Sequence, residues 1–365
     1  MKIAQVAPLY ESVPPARYGG TERVVSYLTE ELVRLGHDVT LFASGDSRTS
    51  ARLVPTARRA LRLDPGCHDP IARHLLLLEQ VFAEARRFDV IHFHVDYLHF
   101  PFSRRIAVPQ VTTLHGRMDL PDLEPLYREY SDMPLVSISR AQRHQLPNAS
   151  WRATVPHGLP EDLYEFRKGA GGYLAFLGRI SPEKRVDRAI EIARRSGRRL
   201  RIAAKVDRAD TEYFERQIVP LLSDPHVTFL GEIGEEEKNE FLGHAAALLF
   251  PIDWPEPFGL VMIEALACGT PVIAFPGGSV DEVVEPGETG FIVSNIDAAV
   301  DAVHRIERID RFRCREAFER RFTAERMAED YEAIYRELAS HRVVPFARRP
   351  ALRAAPEVRA PDASV

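Results

Sequence analysis

Two glutamates eight residues apart, Glu256 and Glu264 in PEPFGLVMIEALACGTPVIAF (255–275), are the residues best spaced for chemistry. The segment reads as a loop, a short helix beginning near Phe258 and stopping at Gly269, and then an apolar strand. Glu256 falls just before the helix and Glu264 about two turns beyond it. Both project toward the N-terminal, strand-end side, where they could grip two ends of one extended ligand. The unpaired N–H groups of Gly259 and Leu260 point the same way and suit a diphosphate or a sugar hydroxyl. Taken as bare spacing, a Glu pair is more often two solvated helix charges. Here Leu260, Val261, Ile263, Leu266 and Ala267 make the helix apolar around most of its circumference. A Glu in its middle is therefore expected to be partly buried, where a carboxylate without a partner is expensive.

In FLGRISPEKR (176–185), Arg179 and Lys184 straddle a strand-to-helix turn, with Ser181 and Pro182 placed to start the next helix. Two cations beside a helix N-terminus make an anion cradle. The plain alternative is surface charge on a loop, but loops at strand carboxyl ends are where open α/β sheets bind ligands. In RYGGTERVV (17–25), Gly19 and Gly20 precede what reads as a Thr-capped helix, and their amides could approach a phosphate closely. The spacing is not G-x-G-x-x-G, so no dinucleotide fingerprint is present. His92, His94, His99 and His115 cluster, yet no H-E-x-x-H, Cys partner or D-x-D accompanies them, and no metal is expected. His115, ending the strand VTTLHG before Gly116, is better placed to meet a substrate.

These side chains need a scaffold. At 365 residues the chain exceeds one ordinary core, so two domains are expected. The first half repeats strand, turn and helix: strand 2–8 and helix 21–36, where Val24, Val25, Leu28, Leu32 and Leu35 recur at helical steps, then strands 38–44, 89–95, 109–116 and 135–139. Residues 157–172 lose periodicity and read as a linker. The alternation restarts with strands 173–180, 200–206, 226–233, 246–251, 271–278 and 290–294, then helix 325–341. Several strands are apolar on both faces, as parallel strands covered by helices must be. The fold class is α/β, with two doubly wound parallel sheets. The tail 342–365, rich in Arg, Pro and Ala, reads as disordered.

The net charge of −5 creates no global field toward nucleic acid or anionic lipid. The opening residues lack the apolar core of a signal peptide, and no run approaches the roughly 18 apolar residues of a membrane span. Cys67, Cys268 and Cys314 form no C-x-x-C pair, so a reducing cytoplasm is the expected setting.

Together and in this order, the motifs resemble the retaining family 4 glycosyltransferases of GT-B fold. EPFGLVMIEALACGTPV is similar to that family's E-x7-E signature, GRISPEKR to its diphosphate-binding Arg/Lys turn, GGTERVV to its N-terminal glycine loop, and VTTLHG to the strand carrying its active-site His. The likeness runs from about residue 2 to 341. It implies an acceptor-side Rossmann-like domain over 1–160, completed by helix 325–341, facing a nucleotide-sugar domain over 170–324 across a cleft. By the resemblance, Glu256 and the backbone of Pro257, Phe258, Gly259 and Leu260 would hold the donor sugar, and Glu264 the ribose. Arg179 and Lys184 would neutralise the leaving diphosphate, His115 would lie near the anomeric carbon, and Gly19 with Gly20 would cover the phosphates.

The partners implied are a nucleotide-diphosphate sugar, with UDP and a glucose-type hexose preferred, and an acceptor that the variable loops 45–70 and 116–133 do not disclose. No cofactor or metal is implied. Two positions depart from the family's pattern. Ala204-Lys205 replaces a Gly and makes Lys205 a candidate phosphate or base contact, and His157 stands where the family usually has Asn. Rival readings are a non-catalytic nucleotide-sugar binder, a nucleotide-sugar epimerase of the same fold, and peripheral membrane contact through the Arg-rich stretch 48–62 and the basic tail.

Overall fold

Parallel strands need crossover connections, and helical crossovers bury both faces of a sheet. The computed structural model describes residues 1–169 and 171–340 and builds this arrangement twice. The first sheet contains β1 (Lys2–Val6), β2 (Asp38–Ser44), β3 (Arg52–Ala57), β4 (Val90–Phe93), β5 (Gln110–Thr113), β6 (Leu135–Ser137) and β7 (Trp151–Thr154), in the order β3-β2-β1-β4-β5-β6-β7. The second contains β8 (Tyr173–Ile180), β9 (Arg199–Val206), β10 (Val227–Gly231), β11 (Ala245–Phe250), β12 (Val272–Ala274) and β13 (Gly290–Ile292), in the order β10-β9-β8-β11-β12-β13. Their ladders are parallel, as in β1 on β4 and β8 on β11. Strand order reverses between β1 and β4 and again between β8 and β11, which opens a crevice at the carboxyl ends of each sheet.

β3 and β7 were not expected from the sequence, and both are edge strands. An edge is half solvated, so RLVPTA and WRAT carry no two-faced apolar run, and Pro55 is tolerated where one side of the ladder is open. The Arg-rich stretch 48–62 therefore folds around an edge strand, with Arg52 paired to Glu84 and Arg62 to Glu11.

Three helix starts differ from expectation. The helix Gly20–Arg34 is capped by Gly19, so Thr21 lies inside its first turn and does not cap it. Pro182–Lys184 is only a 3-10 turn, and Arg185, in a left-handed conformation, separates it from the helix Val186–Ser196. The glutamate-bearing helix is Leu260–Ala267, because Gly259 takes φ 75° and delays the start past Phe258. Among the described residues no helix is long and apolar enough to cross a membrane. The tail over 342–365, read as disordered, lies outside the described residues, as does His341 of the expected last helix.

The chain passes between the sheets twice, and the two passages are stitched together. Leu159 N–H donates to Phe322 C=O at 2.9 Å, and Ala324 N–H to Leu159 C=O at 2.7 Å. A Cβ on Gly158 would stand 2.1 Å from the Thr323 carbonyl oxygen, so only glycine lets the strands approach. The last helix, Ala324–Ser340, then packs on the first sheet's side of the molecule. Its buried Tyr331 and Tyr335 bond Thr113, Gln5 and His92. One continuous core joins Ile3, Val90 and Val111 of the first sheet to Leu174 and Leu248 of the second by way of Leu159, Phe322 and Tyr331.

Candidate active site

A cavity of about 670 Å³ lies between the two sets of strand ends. Its walls include all twelve residues singled out in the sequence: His115, Arg179, Lys184 and Glu256, together with Gly19, Gly20, Lys205, Pro257, Phe258, Gly259, Leu260 and Glu264. Their convergence follows from topology. Arg179 ends β8 and Lys184 follows it, the glutamate loop follows β11, and His115 follows β5.

Both glutamates are buried, and each has a cation. Glu256, 7% exposed, pairs with Lys184 through Oε2, which also accepts the Trp254 indole N–H at 3.0 Å. The Lys184 ammonium stands 4.9 Å over the Trp254 ring. Glu264, 3% exposed, is met by Lys238 Nζ at 2.8 Å. Gly278 lies under the Glu256 backbone, and Ser279 fixes the loop by donating its N–H to Glu256 C=O at 3.0 Å and its hydroxyl to Phe258 C=O at 2.7 Å. The N–H groups of Gly259, Leu260 and Val261 find no acceptor among the described residues. They are the donors that a helix start leaves for an anion or hydroxyl.

The cation cradle is more nearly neutral than the sequence suggested. Arg179 bonds Glu183 at 2.6 Å and lies 3.6 Å from Asp207 and 3.8 Å from Asp210, while Lys205 pairs with Asp207 at 2.9 Å. Any anion bound here would share these cations with carboxylates. The Arg179 Nε is nevertheless buried without a hydrogen-bond partner, a donor left for an incoming oxygen.

On the facing wall, Gly20 would meet the Leu260 side chain at 3.4 Å if it carried a Cβ, so the glycine loop sits across from the helix start. Arg23 spans the two halves, reaching Glu235 at 2.5 Å, and Lys238 joins Glu235 to Glu264. Two of the histidines form a relay. Gln5 donates to the Tyr335 hydroxyl and so accepts from His94 Nε2 at 2.8 Å, and the bare His94 Nδ1 accepts from His115 Nε2 at 2.8 Å. His115 Nδ1 is left a buried acceptor without a partner. Burial holds the His115 imidazole down at about 3, so it stays neutral. His157, whose effect at the linker could not be read from sequence, stacks on His115 at 5.2 Å and meets Phe258 edge-on.

Lys238, Trp254, Asp207, Gly278 and the Gln5–His94 relay escaped the sequence reading. Lys238 lies in a run EEEK that looks like solvated helix charge, and nothing local marks the others.

Two facing Rossmann-type sheets with a cleft at both switch points define the GT-B architecture. Residues 18–159 match the model of Glycosyltransferase Family 4, and residues 166–321 that of Glycosyl transferases group 1. The chain is 30% identical to the D-inositol 3-phosphate glycosyltransferase of Kribbella flavida, over 70% of this chain and 68% of that one. Among solved structures it is similar to AviGT4, a glycosyltransferase involved in avilamycin A biosynthesis (TM-score 0.71, 25% identity, 93% of this chain and 98% of that one). It shares its fold with Anabaena HepE, solved in complex with UDP and glucose (TM-score 0.71, 17% identity, 92% of this chain and all of that one). The chain belongs to the family 4 glycosyltransferases and is a glycosyltransferase.

Proposed function

We propose that the chain transfers a glucose-type hexose from a UDP-linked donor to a hydroxyl acceptor, with retention at the anomeric carbon and without a metal ion. The observation that carries this reading is a set of unsatisfied donors facing one cleft: the buried Nε of Arg179 and the N–H groups of Gly259, Leu260 and Val261, beside the Lys184–Glu256 pair. UDP is favoured by the fold shared with HepE, which was solved with UDP and glucose.

Breaking the anomeric C–O bond leaves charge on the diphosphate and oxocarbenium character on the sugar, so fixed positive potential is needed on the leaving side. Arg179, Lys184 and Lys205 supply it, and the start of the helix Leu260–Ala267 adds its dipole. Glu256 and the amides after it hold sugar hydroxyls, Glu264 holds the ribose, and the Gly19-Gly20 turn closes over the phosphates. His115, neutral with a bare Nδ1, accepts a sugar hydroxyl. The acceptor attacks from the face the diphosphate leaves, and the departing phosphate oxygen takes its proton. Neither glutamate is a nucleophile.

Arg179→Ala should lower UDP release with UDP-glucose by about 100- to 1000-fold while circular dichroism stays that of the folded protein. Turnover at the wild-type rate would sink the reading. Donor conversion without an acceptor would mark an epimerase, and donor binding without turnover a binding protein. Full activity in EDTA is expected.

A further inference from the structure

One carboxylate in the cleft has no role in donor binding. Asp96 follows β4 at the first sheet's switch point and lines the cavity. Its backbone is left-handed, at φ 51°, one of two non-glycine residues with positive φ among those described. Strain of this kind is concentrated where a fold holds a side chain for a ligand. The carboxylate makes no hydrogen bond or ion pair with any described residue, and the residue is exposed toward the cleft. The cleft walls around it raise its carboxyl to about 6 by partial desolvation.

The wall around Asp96 is aromatic and short of free cations. Tyr10 and Tyr97 present rings that are 38% and 36% exposed. Glu22, 5% exposed, adds a second carboxylate to the same wall. Of the first half's cations that line the cavity, Arg62 lies over the Tyr10 ring and pairs with Glu11 at 3.1 Å, Arg23 pairs with Glu235 at 2.5 Å, and Arg17 stands 3.8 Å from Glu232. The opposite wall holds Arg179, Lys184, Lys205 and Lys238. An anionic acceptor would find positive charge where the donor belongs and carboxylates where it must itself sit.

We infer that the wall formed by Asp96, Tyr10 and Tyr97 is the acceptor subsite and that its ligand is an uncharged polyhydroxyl compound, a sugar or polyol, two of whose hydroxyls donate to the Asp96 carboxylate. Aromatic rings cover the C–H face of such a ring, and an ionised carboxylate accepts two O–H donors at once. The inference rests on the donor reading above. In transfer, a third hydroxyl oxygen bonds the anomeric carbon as its bond to the diphosphate breaks, and its proton goes to the departing phosphate. Asp96 binds and takes no proton.

The test uses the full chain with UDP-glucose and measures UDP release and product mass. The acceptors are glucose, maltose and myo-inositol, set against glucose 6-phosphate and glucuronate. Neutral acceptors should accelerate release and their anionic counterparts should not. Asp96→Asn should raise acceptor KM tenfold or more while donor KM moves less than twofold, and Asp96→Lys should turn the preference toward glucose 6-phosphate. A wild-type preference for the anionic acceptors overturns the inference, as does an Asp96→Asn variant in which acceptor and donor KM move together or not at all. UDP-glucose that is bound and hydrolysed while no neutral acceptor accelerates release overturns it alone. Failure of UDP-glucose to raise the melting temperature brings down the donor reading first, and the acceptor inference with it.

Discussion

Gly278→Ala probes how the donor loop is held. Gly278 has φ +57°, and a Cβ built there would stand 2.0 Å from the Glu256 carbonyl oxygen and 2.4 Å from its nitrogen. A carbon–oxygen contact needs roughly 3.3 Å, so the loop must retreat by about 1.3 Å. It cannot do so freely, because Lys184 and Trp254 hold the Glu256 side chain and Ser279 holds the backbone on either side. The left-handed conformation costs alanine about 1 kcal/mol and the overpacking a further 1–3 kcal/mol or so, for a total of roughly 2–4 kcal/mol. At about 2–4 °C per kcal/mol for a domain of this size, the melting temperature should fall by roughly 5–15 °C. A displacement near 1 Å in a positioning loop costs on the order of 100-fold in rate, so kcat/KM for the donor should drop by about that factor even well below the melting point. Calorimetry and steady-state UDP release measure the two effects. A variant with wild-type melting and wild-type kcat/KM would refute the claim that this backbone contact sets the position of Glu256.

Gly20→Ala is the contrasting case. Its Cβ would meet only Leu260, at an ordinary 3.4 Å, so melting should shift by no more than about 1 °C while donor KM rises, and a large loss of stability would contradict the geometry. Lys238→Met leaves the buried Glu264 carboxylate without its cation and should destabilise the fold by about 2–4 kcal/mol; an unchanged urea midpoint would show that Glu264 does not depend on it. The protein should also be acid-labile. Desolvation lowers the pKa of His92, His94, His99, His115 and His157, so each stays neutral when folded yet takes a proton near pH 6.5 when unfolded. The unfolded chain then binds more protons below pH 6.5, and stability falls as pH drops below that value, by up to about 1.4 kcal/mol per histidine per pH unit. A melting temperature that stays level between pH 7 and pH 5 would exclude this.

The periodicities in the chain were enough to establish two parallel α/β sheets, because strands buried on both faces and helices buried on one leave a local record of apolar spacing. Motif spacing and the family resemblance together nominated twelve residues, and they share one cleft because loops at strand carboxyl ends converge once the strand order is doubly wound. The edge strands β3 and β7 left no such record, since half-solvated strands need no apolar run. Only the tertiary structure paired Glu264 with Lys238, 26 residues earlier in the chain, set Gly278 beneath Glu256, and oriented His115 through Gln5 and Tyr335, 330 residues apart. A lysine in EEEK has the same neighbours in sequence whether it meets water or a buried carboxylate. The partner is chosen by chain segments that packing brings together, and no local pattern encodes that choice.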